Sequence, residues 1–193
     1  MRVKTIAIIG AGGAGREIAC ASALGGFRTI LEDVSDSVTT KSLGWIKSSF
    51  EENLKSGKLD PAAREAALLL ISTSHTVDEA IRDADLIIET VSDELEMKLE
   101  LFTIFDKFAK PNAIFASNTS SLSINDFSDV VIGRDRCVGM RFLSDASKTN
   151  LVEIVRTSHT SDETVATCIE VAHRMRKETL VVNEVPNALP KMF

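Results

Sequence analysis

The segment GMRFLSDASKTNLVEIV (139–155) holds the side chains of this chain most like a reaction centre. A short apolar run leads into Arg141. A polar turn follows, and a second apolar run carries Glu153. A proton-handling residue would be sought on the first of these runs, but arginine cannot serve. Its pKa lies above about 12, so it stays protonated at neutral pH. Two roles remain open for Arg141. It can pair with Glu153 as a salt bridge, or it can meet an anionic group such as a carboxylate or phosphate.

A second constellation lies at the start. GAGGAG (10–15) follows an apolar run, opens a helical pattern and matches G-x-G-x-x-G at Gly10, Gly12 and Gly15. Gly10 suits a tight turn, Gly12 lets a pyrophosphate approach the backbone, and Gly15 lets helix and strand pack closely. The free N–H groups and dipole of the following helix then favour phosphate. Asp33 follows the next strand at the distance at which a carboxylate holds a ribose 2′-hydroxyl. A carboxylate there repels a 2′-phosphate, which favours NAD over NADP. Glu32 precedes it, and alternation along a strand predicts that only one of the two points at the ligand.

The elements that position these residues alternate. Strand patterns cover 3–10, 27–33, 84–90, 112–118, 136–142, 151–155 and 178–183, and helical patterns cover 13–26, 93–110 and 161–175. Near-continuous apolar strands between amphipathic helices predict an α/β fold with a doubly wound, mostly parallel Rossmann-type sheet. Residues 35–70 are too many for one crossover helix. LKSGKLDP (54–61) contains a turn, with Asp60 as N-cap and Pro61 at the first helical position. The segment reads as a helical hairpin projecting from the sheet, with a first arm roughly 30 Å long.

The totals remove other classes. Net charge is −6, aromatic residues are 5%, and no basic stripe marks a nucleic-acid surface. No apolar run approaches the roughly 18 residues of a membrane span. The start runs straight into a strand without a signal-peptide pattern. Cys20, Cys137 and Cys168 are scattered and odd in number, which fits buried reduced thiols in a cytoplasmic protein rather than disulfides or zinc. The chain has no tyrosine, so a Tyr-x-x-x-Lys proton relay is excluded. His75, His159 and His173 fall in patterns that suit surface or capping roles, and His75 is expected far from residues 117–121.

ADLIIETVSDELEMKLELF (84–102), NAIFASNTSSLSI (112–124) and TNLVEIVRT (149–157), with the glycine loop, resemble the L-3-hydroxyacyl-CoA dehydrogenases of fatty-acid β-oxidation. The resemblance covers essentially the whole chain but only the NAD-binding, N-terminal domain of that family. It implies NAD as cofactor and the oxidation of an L-3-hydroxyacyl-CoA to a 3-oxoacyl-CoA. It also implies roles residue by residue. Asp33 binds the adenosine ribose. Asp93, where the family usually has Glu, and Lys98 contact the nicotinamide half. Ser120 touches the substrate oxygen, and Glu153 orients the catalytic histidine. Ser49 contacts coenzyme A, with Lys55 near its phosphates; the alternative for both is a solvated helix face.

Two departures stand out. Where the family writes H-F-F-N-P, this chain writes Arg141-Phe142-Leu143-Ser144-Asp145. The histidine that removes the hydroxyl proton is therefore Arg141 here, and the asparagine is Ser144. The family also continues through P-G-F-I-V-N-R into a helical domain that closes the acyl cleft. This chain reads VPNALPKMF (185–193). The expected organisation is one NAD-binding domain over 1–185, a tail over 186–193 and no helical domain.

Three readings follow. The chain is a reduced dehydrogenase working with a separate helical partner, an NAD(H)-binding module such as a sensor or subunit, or a folded relic. Apolar surface near SNTSS and LPKMF suggests a homodimer.

Overall fold

The computed structural model describes residues 2–143 and 150–184. In chain order the elements are β1 (Thr5–Ile9), α1 (Gly13–Leu24), β2 (Arg28–Glu32), α2 (Asp36–Lys55), α3 (Pro61–Leu69), β3 (Ile71–Ser74), α4 (Val77–Ile81) and β4 (Leu86–Glu89). They continue with α5 (Leu95–Phe108), β5 (Ile114–Ser117), α6 (Ile124–Ser128), β6 (Cys137–Phe142), β7 (Leu151–Arg156), α7 (Asp162–Arg174) and β8 (Glu178–Asn183). One sheet runs in the order β3-β2-β1-β4-β5-β6-β7-β8. Pairing is parallel from β3 to β6, antiparallel between β6 and β7, and parallel between β7 and β8. The expected doubly wound, mostly parallel sheet is present.

The central strands explain this arrangement. β1 (TIAII) and β4 (LIIE) are buried at every position, as strands covered on both faces must be. On one face Ile6, Ile8 and Leu31 pack with Ile18 of α1, Ile46 and Phe50 of α2, and Val171 of α7. On the other, Ala7, Ile9 and Ile87 pack with Leu101, Phe102 and Phe105 of α5 and Phe127 of α6. Phe102 sits at the centre of an aromatic group, 4.7 Å from Phe127 and 5.2 Å from Phe105 between ring centroids.

The hairpin is present as α2 and α3. Asp60 caps α3 by accepting a 2.8 Å hydrogen bond from the Ala63 N–H, and Pro61 opens that helix. The hairpin packs on α1. Ile46, Phe50 and Ala67 join the core that includes α1, because an amphipathic pair of this length is stable in water only with its apolar stripe covered.

β3, α4 and α6 were not foreseen. β3 (ISTS) is a polar edge strand, and both helices have five residues, too few for a helical period to show. Ser144, Asp145 and the LPKMF tail lie outside the described residues.

Candidate functional site

The strand order reverses at β1. The chain leaves it toward β2 and β3, then returns to β4 on its other side. Such a switch point opens a crevice at the carboxyl ends of the strands, where open α/β sheets take ligands. The glycine loop stands there. Gly10 has φ +100°, a conformation that favours glycine. Its N–H donates to the Glu32 carbonyl at 2.9 Å, and its carbonyl accepts from the Thr90 hydroxyl at 2.8 Å. A Cβ on Gly15 would lie 1.9 Å from the Gly10 carbonyl oxygen, so helix and loop touch there. A Cβ on Gly12 would meet no protein atom within 4 Å. Packing therefore does not require glycine at that position, and the space above it is open to an anionic ligand facing the first turn of α1. These features fit a dinucleotide.

Asp33 borders the loop. Its carboxylate accepts from the Ala11 N–H at 3.1 Å and from the Ser35 N–H at 3.0 Å. Glu32 also borders the crevice. β2 ends at Glu32, so Asp33 is past the pleat and free of its alternation. Glu32 is 2% exposed and helps line a cavity of about 370 Å³ with Gly10, Asp33 and apolar residues of α5. Its Oε1 is buried without a hydrogen-bond partner. Burial first, and then the neighbouring Asp33 carboxylate, push the Glu32 carboxyl up to about 7.

The other side of the crevice is polar and tightly bonded. Glu89, fully buried at the end of β4, accepts from Lys98 Nζ at 2.7 Å, from the Ser117 hydroxyl at 2.6 Å and from the Val91 N–H at 2.6 Å. Lys98 is itself buried and lies 3.3 Å from Asp93. Asp93 accepts from the Ser121 hydroxyl at 2.7 Å and from the Ser120 N–H at 3.4 Å. Partial burial pushes the Asp93 carboxyl upward, but hydrogen bonds from Ser121 and Thr119 and the Lys98 charge outweigh it. The carboxyl is held below its ordinary range. The structure thus brings Asp93, Lys98 and the Ser120 backbone N–H together. Glu89 and Ser117, which join them, were missed; the available signal was an acid closing the apolar run LIIE.

Arg141 completes this side. It stands opposite Glu153 across the β6–β7 pair, with Nη1 3.8 Å from Glu153 Oε2. Its Nε donates to the Thr119 carbonyl at 2.7 Å, beside Ser120. The Phe142 N–H donates to Asn118 Oδ1 at 2.8 Å, which ties β6 to the same turn. Of the two roles open to Arg141, the pairing with Glu153 is the one the geometry displays.

Other expected residues stand apart. Ser49 is half-buried and Lys55 exposed on α2, where Trp45 packs under the Arg16 guanidinium 4.4 Å from its ring centre. His75 is not remote from the crevice as a whole. Its ring nitrogens lie 3.3 Å from the Asp33 carbonyl and 3.3 Å from Asp36, at the Asp33 end. His173 contacts Thr179 at 3.4 Å in the last turn of α7. The three cysteines are buried with free thiols. Among the described residues no group of His, Cys, Asp and Glu forms a metal site, and no helix is long and apolar enough to cross a membrane.

Comparison with known proteins agrees with this geometry. The family described as 3-hydroxyacyl-CoA dehydrogenase, NAD binding domain, matches residues 5–185. A probable 3-hydroxybutyryl-CoA dehydrogenase of Bacillus subtilis is 33% identical over 186 residues, which are 96% of this chain and 64% of that protein. A glyoxysomal fatty acid beta-oxidation multifunctional protein of Brassica napus is 32% identical over the whole chain. The crystal structure of 3-hydroxybutyryl-CoA dehydrogenase from Escherichia coli superposes with TM-score 0.92 at 29% identity, covering 96% of this chain and 39% of that one. The chain spans about a quarter of the Brassica protein and under two thirds of the Bacillus one.

Proposed function

We propose, from the premise that this chain belongs to the 3-hydroxyacyl-CoA dehydrogenase NAD binding domain family, that it holds NAD(H) but oxidises 3-hydroxyacyl-CoA poorly or not at all. The residues fit the cofactor: the open face at Gly12 for its pyrophosphate, Asp33 for its adenosine ribose, and Asp93 and Lys98 toward its nicotinamide half. Bound NAD supplies a hydride acceptor. Oxidation of a 3-hydroxyl also needs a group that takes the hydroxyl proton as the hydride leaves.

Arg141 facing Glu153 carries the proposal. A permanent cation occupies the position from which the family's histidine removes the proton. Losing a general base typically slows a reaction by about 100- to 10,000-fold. Among the described residues no histidine is hydrogen-bonded or ion-paired to Arg141, Glu153 or Ser120. The protein then acts as an NAD(H)-binding module, a sensor or a subunit with a helical or identical partner. Ser49 and Lys55 of α2 would receive coenzyme A where an acyl-CoA is held. Three buried, unpaired thiols fit a reducing compartment, and the cytoplasm is the reading we adopt.

Calorimetric titration with NADH and separately with acetoacetyl-CoA tests the binding half. Saturable NADH binding is expected. A folded protein without it would leave only the relic reading.

A further inference from the structure

The dinucleotide reading assigns the glycine loop to the pyrophosphate and Asp33 to the adenosine ribose. The next space along the same crevice is the cavity of about 370 Å³ behind Asp33. Val34, Val77, Val91, Met97, Leu101 and Ile104 make it apolar, as the faces of a purine require. Glu32 interrupts that wall. It is 2% exposed, and its Oε1 is buried without a partner. An ionised carboxylate so placed is costly, whereas a protonated one is a hydrogen-bond donor in want of an acceptor. Adenine offers uncharged ring nitrogens that accept.

We infer that Glu32 is a recognition residue for the adenine ring, entering the complex as a neutral acid whose hydroxyl donates to a ring nitrogen. The inference rests on the NAD(H) reading and adds to it a specificity group outside the glycine loop and Asp33. The charged and titratable groups around the carboxyl agree with a neutral state. Asp33 follows β2 and opposes ionisation. His75 follows β3 and favours it more weakly. Glu100 of α5 lies at the cavity wall, and α4 contributes Val77 there. Burial outweighs His75 and the Gly10 N–H, leaving the carboxyl pushed up to about 7.

The test is titration of wild type, Glu32→Gln and Glu32→Val with NADH and with ADP-ribose, which lacks the nicotinamide, at about pH 6 and about pH 8.5. A ligand that selects the protonated acid loses up to about tenfold in affinity per pH unit above that pKa. Wild type should therefore bind both ligands at least about tenfold more weakly at the higher pH. Glu32→Gln keeps a donor and should bind with little pH dependence. It also keeps His75, so a flat profile isolates the carboxyl. Glu32→Val should bind about fivefold or more weakly at the lower pH, as loss of one hydrogen bond implies. Wild-type affinity unchanged between the two pH values, a steep profile kept in Glu32→Gln, or Glu32→Val matching wild type at low pH overturns the inference while leaving NAD(H) binding standing. A folded wild type that binds neither ligand overturns both.

Discussion

Arg141 and Glu153 face each other as direct neighbours across the antiparallel β6–β7 pair, 3.8 Å apart, while the Arg141 Nε holds the Thr119 carbonyl at 2.7 Å. The separation makes the pair a contact of charges rather than a hydrogen bond. Both side chains are about a quarter exposed, at 25% and 26%. A pair so placed contributes on the order of 1 kcal/mol or less. The arginine is held as much by the turn carrying Ser120 as by its partner.

Replacing Arg141 by His should therefore leave the fold intact and put an imidazole beside a carboxylate. The Glu153 charge favours the imidazolium, so that histidine should titrate above its ordinary value of about 6.5. The stability this pairing adds is present below that ordinary value and is lost as pH rises through the raised one. An NMR titration of the imidazole in Arg141→His reads it directly. A value at or below about 6.5 would show that Glu153 does not act on position 141.

Lys98 and Glu89 make the opposite kind of pair, buried on both sides at 2.7 Å and supported by Ser117. Removing one partner strands the other charge. Lys98→Met should cost about 3–5 kcal/mol in urea unfolding, and adding Glu89→Gln should recover much of that loss. Additive losses in the double variant would mean that the two groups are not coupled.

Glu32 sets a pH dependence of stability. Its carboxyl rises from an ordinary 4.5 to about 7 in the folded chain, so the folded state binds the proton more tightly. The stability it contributes is fully present below about 4.5 and falls as pH climbs through about 7. A tenfold tighter hold on the proton is worth about 1.4 kcal/mol. Glu32→Gln should gain on wild type progressively between those limits and level off at about 3 kcal/mol above about 7, measured by denaturant unfolding across pH. A gap that stays constant with pH would show that Glu32 titrates normally.

The three thiols are buried, and burial pushes each to about 12. Cys20, Cys137 and Cys168 should resist a thiol reagent in the native protein and react fully in denaturant. Rapid labelling of the folded chain would contradict their placement.

What the sequence disclosed follows from the range of its signals. β1, the glycine loop and the Asp60–Pro61 helix start were legible because turn chemistry and apolar runs are local. β3 was not, because ISTS is a strand only through its pairing with β2. The reversed direction of β7 depends likewise on its partners. Arg141 and Glu153 were legible as a pair because both sit on patterned strands. The Glu89–Lys98–Ser117 junction joins three elements that no spacing along the chain relates. Strand alternation along the sequence cannot show that β2 stops between Glu32 and Asp33.

The most direct test of the central claim is NADH consumption by purified wild-type protein with acetoacetyl-CoA near neutral pH, run on material shown by titration to bind NADH. Cofactor binding with no consumption above background is the expected result. Robust NADH oxidation would show that a proton is moved at this site despite Arg141, and would contradict it.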